Sequence, residues 1–225
     1  MEKDYELKNI HPEEFEDLLE KVESSFDIKF IGDELYHIPN FGALCDHIAN
    51  KIQLGNSDDC TTQQAFYKLR NAISSALEVN SKTISPTLLL SDLFPKPSRR
   101  TRVKKLENYL INFDLYLLDF PDWVKGFLFQ VLFVSLFVLF FKWQIGLGGL
   151  AFSLTGYWLA PKIGSKFTLK TVGQVAEKMA REHYLKSRRN PTTFNKNEIE
   201  KLLIDMFSND LDLDKSKLTR EAKFV

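Results

Sequence analysis

The chain has 225 residues, with 30 basic and 30 acidic side chains and a formal net charge of zero. Its two cysteines, Cys45 and Cys60, are too few for a disulfide framework or a metal site. The charge is uneven: residues 1–60 carry 15 acidic against 5 basic side chains, whereas residues 121–190 carry 10 basic against 3 acidic.

In chain order, Met1 to Asn9 is charged and no apolar segment follows early, so no secretory signal is expected. Residues 12–26 are predicted to form an amphipathic helix. Pro12 suits its first turn, Glu13 and Glu14 favour the positive end of its dipole, and Phe15, Leu18, Leu19, Val22 and Phe26 form one stripe. A loop over 31–40 leads to a short helix from Phe41, capped by Asn40, with Leu44, Cys45, Ile48 and Ile52 inward. Residues 55–60 are a linker. Thr61 or Thr62 caps the next helix, whose stripe is Phe66, Leu69, Ile73 and Leu77.

Breaks at Ser85-Pro86-Thr87 and Phe94-Pro95-Lys96-Pro97 precede a basic helix over 99–112, with Val103, Leu106, Leu110 and Ile111 apolar. Phe127 to Phe141 has no charged residue, and a second apolar run covers Ile145 to Ala160. A bilayer core of about 30 Å needs about 20 helical residues. Val124–Trp143 and Gln144–Lys162 are therefore predicted as a transmembrane hairpin turning at Trp143. Trp123, Trp143 and Trp158 fall near its ends, where amphipathic rings prefer the interface. Gly146, Gly148, Gly149, Ser153 and Gly156 would let the two backbones approach closely. Basic residues flank the hairpin on both sides, with Lys96, Arg99, Arg100, Arg102, Lys104 and Lys105 before it and Lys162, Lys166, Lys170, Lys186, Arg188 and Arg189 after it. Such segments stay in the cytoplasm and lie against anionic head groups. Both ends are expected to be cytoplasmic, on an inner or cytoplasmic membrane. Two further helices are predicted: residues 171–185, and 197–207 with Ile199, Leu202, Leu203 and Met206 inward. Residues 186–194 are polar and loop-like. Strand signals are weak, so the fold class is all-α.

The phrases Ser25-Phe26-Asp27-Ile28 and Asn40-Phe41-Gly42-Ala43-Leu44 resemble the second half of an acyl carrier protein, and Glu198 to Val225 is similar to the first half of that family. Phe66–Pro95, Arg102–Leu117 and Phe167–His183 resemble its successive helices. The resemblance implies two carrier-like bundles. Residues 1–55 and 190–225 would form one. Residues 60–120 and 164–187 would form the other, with the hairpin of 121–163 inserted in it.

A working carrier bears phosphopantetheine on a serine in an Asp-Ser-Leu context. The matching stretch Asn9-Ile10-His11-Pro12 has no hydroxyl. In the second bundle Ser98 lies near the implied place, but in a Lys-Pro-Ser-Arg-Arg context. The preferred reading is that Ser98 caps the basic helix, and no cofactor is expected.

No catalytic set, nucleotide loop or metal-ligand spacing of the four histidines emerges, and no ionisable group sits mid-membrane in the hairpin. The expected role is therefore non-enzymatic: a membrane-anchored scaffold or adaptor whose acidic head meets a protein partner. The alternatives are a membrane-tethered carrier modified at Ser98 and a helix-turn-helix DNA-binding regulator using Arg99 to Lys105. Membrane topology already accounts for those basic residues, and no base-reading constellation stands out, so nucleic acid is not an expected partner.

Overall fold

The computed structural model describes residues 6–7, 11–119 and 122–224, without the side chains of 6–7, 122 and 160–163. Helix takes up 63% of the chain and strand 6%, an all-α architecture tied together by three two-residue ladders. The chain divides into two compact units. One comprises residues 1–71 and 175–225, the other residues 72–174.

The first unit is built from both ends of the chain. Helix α1 (Pro12–Phe26) starts with Pro12 in its first turn, carries Glu13 and Glu14 there, and buries Leu18, Val22, Ser25 and Phe26. It stops because Asp27 takes a left-handed conformation at φ 52°, which a short polar side chain tolerates. Helix α2 (Phe41–Lys51) is capped by Asn40, whose side chain accepts the Ala43 N–H at 2.9 Å. The C-terminal segment supplies acceptors for its first orphan donors: Ala222 O takes the Phe41 N–H and Arg220 O the Gly42 N–H, each at 2.8 Å. Only a glycine permits that approach, since a Cβ on residue 42 would lie 2.8 Å from Arg220 O.

Strand β1 (Glu6–Leu7) runs parallel to the last strand (Lys223–Phe224). The segment expected as a linker contains β2 (Gly55–Asn56), which pairs in parallel with Thr193–Phe194. Helix α3 (Thr61–Leu77) contributes residues to both units. Its buried stripe is Ala65, Leu69, Ala72, Ile73 and Ala76. Phe66 is only half-buried, because small side chains occupy the close-packed positions instead.

In the second unit, α4 (Leu90–Leu93) and a short 3-10 turn (Lys96–Ser98) lead into α5 (Arg99–Tyr109), which buries Val103 and Leu106. Ile111, expected inward, is 79% exposed because the helix ends two residues earlier. Strand β3 (Leu118–Asp119) pairs antiparallel with β4 (Lys166–Phe167). Between them stand α6 (Asp122–Leu139) and α7 (Trp143–Ile163), packed against each other as a hairpin. Among the described residues, no helix is long and apolar enough to cross a membrane. The sequence expectation of two complete spans is corrected here on physical grounds. The uncharged run continues to Phe141, but the helix breaks at Leu139, and Phe140 to Lys142 form the turn expected at Trp143. In α7 the run is diluted by glycine, serine, threonine and tyrosine.

Helix α8 (Val172–Glu182) begins where the Gly173 N–H meets Pro86 O at 2.8 Å and the Val172 N–H meets Leu88 O at 3.0 Å. It stops short of the expected Leu185. The hydroxyl of Ser25 donates to Arg181 O at 2.7 Å and accepts the Tyr184 N–H at 3.0 Å, replacing helical partners. The chain restarts as α9 (Tyr184–Ser187), then forms β5 (Thr193–Phe194), α10 (Lys196–Asp210) and β6 (Lys223–Phe224).

The core of the first unit joins α1, α2, α9 and α10. Phe207 lies at its centre, edge-on to Phe41 at 5.0 Å and to Phe15 at 6.1 Å. Cys45 is buried in this core, whereas Cys60 is exposed and unpaired.

Candidate membrane-contacting site

The hairpin is apolar on its outside as well as on its inside. Seventeen large hydrophobic side chains between Trp123 and Leu159 stand exposed, including Phe133 at 67%, Phe137 at 65%, Phe140 at 89% and Phe152 at 56%. Only seven other described residues of that kind are exposed. Patches on soluble monomers rarely exceed a few hundred Å². An amphipathic helix of a water-soluble protein would show a polar outer face.

Small residues close the seam between α6 and α7. Ser153 is fully buried and donates to Leu128 O at 2.9 Å. A Cβ on Gly156 would lie 2.5 Å from Leu128 Cδ2, one on Gly149 2.0 Å from Ser135 Oγ, and one on Gly146 2.7 Å from the Leu139 backbone nitrogen. Gly148, also expected at the seam, meets nothing within 4 Å and faces outward. Two hydroxyls of the hairpin bond back to their own helix. Ser135 donates to Val131 O at 2.6 Å, and Thr155 to Ala151 O at 2.7 Å. Such bonds to the carbonyl four residues earlier are the usual way a helical hydroxyl is satisfied. Trp143 opens α7 at the tip beside exposed Lys142. Tyr157 donates to Lys125 O at 3.2 Å, which sets Trp158 level with the start of α6 near Trp123. The three tryptophans, 63–74% exposed, thus mark the two ends of the hairpin.

Its base is stiff. The β3–β4 ladder holds Asp119 opposite Lys166, and Lys125 forms an ion pair with Asp119. Gly164 is needed there, because a Cβ would lie 2.6 Å from the Asp119 carbonyl carbon. Helix α5 grips the same point. Arg99 donates to Ser165 O at 2.7 Å and Phe94 O at 3.0 Å, with its guanidinium 4.6 Å from the Phe167 ring centre. Arg100 donates to Gly164 O at 3.3 Å and Arg102 to Leu93 O at 2.9 Å.

The five basic residues expected at an interface therefore differ in role. Arg99 is buried, at 8% exposure, and fastens backbone; Arg100 and Arg102 each hold a carbonyl; Lys104 and Lys105 are exposed. Lys162 has no described side chain. Arg188, counted among the flanking basics, is 1% exposed inside the first unit. It donates there to Asp59 O, Thr61 Oγ1 and Tyr184 Oη and lies 4.0 Å from Glu198. A basic residue in a polar stretch carries no sequence signal of such burial.

Ser98 is the N-cap residue of α5, half-buried, but its hydroxyl makes no capping bond. The expectation of a side-chain cap is corrected: a backbone ψ of 4° is not the extended conformation that such a bond requires. Asn9 and Ile10 of the other carrier-like stretch lie outside the described residues. Among the described residues, no group of three or more His, Cys, Asp or Glu is placed to hold a metal ion. On α1, Glu13, Glu14, Glu16, Asp17 and Glu20 are exposed to solvent. Comparisons of the chain with protein-family profiles, curated proteins and solved structures give no match.

Proposed function

We propose that this chain is a membrane-anchored, non-enzymatic scaffold that faces the cytoplasm, with α6 and α7 embedded in the bilayer. The carrying observation is the apolar outer surface of the hairpin, which has no water-compatible face. Within the helices the exposed hydrophobic side chains run from Trp123 to Phe137 and from Trp143 to Leu159. Each stretch is about 22–25 Å long at about 1.5 Å per residue, short of a hydrocarbon core of about 30 Å, so the hairpin is embedded without a complete crossing. The acidic outer face of α1 is the surface offered to a protein partner. The resemblance of the two ends to carrier halves, and their shared core, support reading the first unit as a carrier-like module kept for binding.

Alkaline carbonate extraction of membranes from cells making the full chain tests the anchor. The protein stays in the membrane and floats with it; release into the carbonate supernatant overturns the reading.

A second reading, a carrier armed at Ser98, is favoured by the free hydroxyl at a helix start. It requires a phosphopantetheine mass increment on the purified chain that disappears in Ser98→Ala. An unmodified mass leaves the scaffold.

A further inference from the structure

The base of the hairpin carries a groove of about 550 Å³ within the second unit, between α5 and the segment that enters β3. Two of its lining residues lie close to the hairpin in the chain: Gly164 directly follows α7, and Leu118 stands four residues before α6. If α6 and α7 lie in lipid, this groove lies at head-group level. Its charge is basic: Arg100, Lys104 and Lys105 line it against one carboxylate, Glu107. Burial pushes the Glu107 carboxyl up, against the pull of Lys104 beside it. Arg100 is held in place by its bond to Gly164 O, whereas Lys104 and Lys105 project from the exposed side of α5. Neutral hydrogen-bonding groups complete the wall: Asn108 and, from the opposite side, Tyr116. Tyr116 sits at φ 42°, a left-handed conformation that bulky residues rarely adopt. It is 71% exposed. The acidic neighbour at the base, Asp119, is paired with Lys125.

We infer that this groove binds the phosphate of an anionic phospholipid head group, with Lys104 and Lys105 supplying the charge and Asn108 and Tyr116 the neutral donors. The inference rests on the hairpin lying in the bilayer. Lysines at an anionic leaflet each contribute a several-fold preference, so the pair gives a selectivity on the order of tenfold.

Native mass spectrometry of the full chain in detergent, with equimolar phosphatidylglycerol and phosphatidylcholine, tests it. Wild type retains phosphatidylglycerol on the order of tenfold over phosphatidylcholine. Lys104→Glu/Lys105→Glu abolishes the preference, whereas the charge-matched Lys201→Glu/Lys217→Glu, outside the groove, keeps it. Loss in both variants, or in neither, overturns the groove. Displacement of the lipid by inorganic phosphate at constant ionic strength assigns the site to free phosphate and also overturns it. Carbonate extraction of Lys104→Glu/Lys105→Glu separates the two claims. Retention in the membrane with lost lipid preference is the expected result. Release of wild type itself refutes the hairpin reading, whichever lipid is retained.

Discussion

Deleting residues 120–163 should convert the protein into a water-soluble, folded chain. The ladder of β3 and β4 places Asp119 opposite Lys166. After deletion these partners are joined by Gly164-Ser165 alone, a two-residue loop with glycine first, as a type II′ hairpin turn requires. The deletion keeps Ser165 O for Arg99 and Gly164 O for Arg100, so the grip of α5 survives. The magnitude follows from the exposed surface. Seventeen large side chains, 38–89% exposed, present on the order of 1,500–2,000 Å² in total. At about 25 cal/mol per Å², keeping that surface in water costs about 40–50 kcal/mol relative to lipid. That is well above a domain's net stability of about 5–15 kcal/mol, and the parent is expected to need detergent, lipid or self-association to stay dispersed. Size-exclusion chromatography without detergent and thermal unfolding by circular dichroism read the result. The expected outcome is a monodisperse, helical chain with a cooperative transition. Aggregation of the excised chain, or a detergent-free parent that runs as a monomer, would refute the reasoning.

Gly146→Ala places a Cβ against the Leu139 backbone, which cannot yield, and should destabilise the hairpin by about 1–3 kcal/mol; Gly148→Ala, facing open space, should not. Unfolding in detergent micelles distinguishes them. Phe207→Ala removes the ring shared by Phe15 and Phe41 and should lower the stability of the first unit by about 3–5 kcal/mol, read as a drop in Tm. Arg188→Met leaves Thr61 Oγ1, Tyr184 Oη and the Asp59 carbonyl without their buried donor, with an expected cost of about 3 kcal/mol in denaturant titration. Burial pushes the Cys45 thiol up from 9.0 to about 12. The unfolded thiol ionises first, so this contribution to stability is complete below pH 9 and is lost as pH rises through about 12. Denaturant midpoints should fall across that window in wild type and fall less in Cys45→Ala.

The helices were legible where local chemistry fixed them. Pro12 with two glutamates marked the start of α1, and Asn40 marked the start of α2, because caps and first-turn charges act within a few residues. What the sequence concealed depends on distant partners. Gly55 and Thr193 carry no strand signal, yet their backbones pair across more than a hundred residues. The break at His183 needs the hydroxyl of Ser25, far away in the chain. Arg99 and Arg100 look alike in sequence, but one is buried over Phe167 and the other stays at the groove. The apolar runs announced the hairpin, while its turn fell three residues early, where the Phe140 and Phe141 N–H groups meet the carbonyls of Phe137 and Val138, an exchange of partners that apolar composition does not mark. Tyr116 gave no signal, since nothing in the sequence around it marks a left-handed backbone.

The central claim, that the outer face of the hairpin lies in lipid, is tested most directly by thiol accessibility in intact membranes. Phe133→Cys in a Cys60→Ser background places one reactive thiol on that face, since Cys45 is buried and its thiol is pushed up to about 12. A charged maleimide at pH 7 should leave Phe133→Cys unmodified in membranes and label it after detergent solubilisation, while Cys60 of the parent labels in both. Labelling of Phe133→Cys in intact membranes as fast as Cys60 would contradict the account.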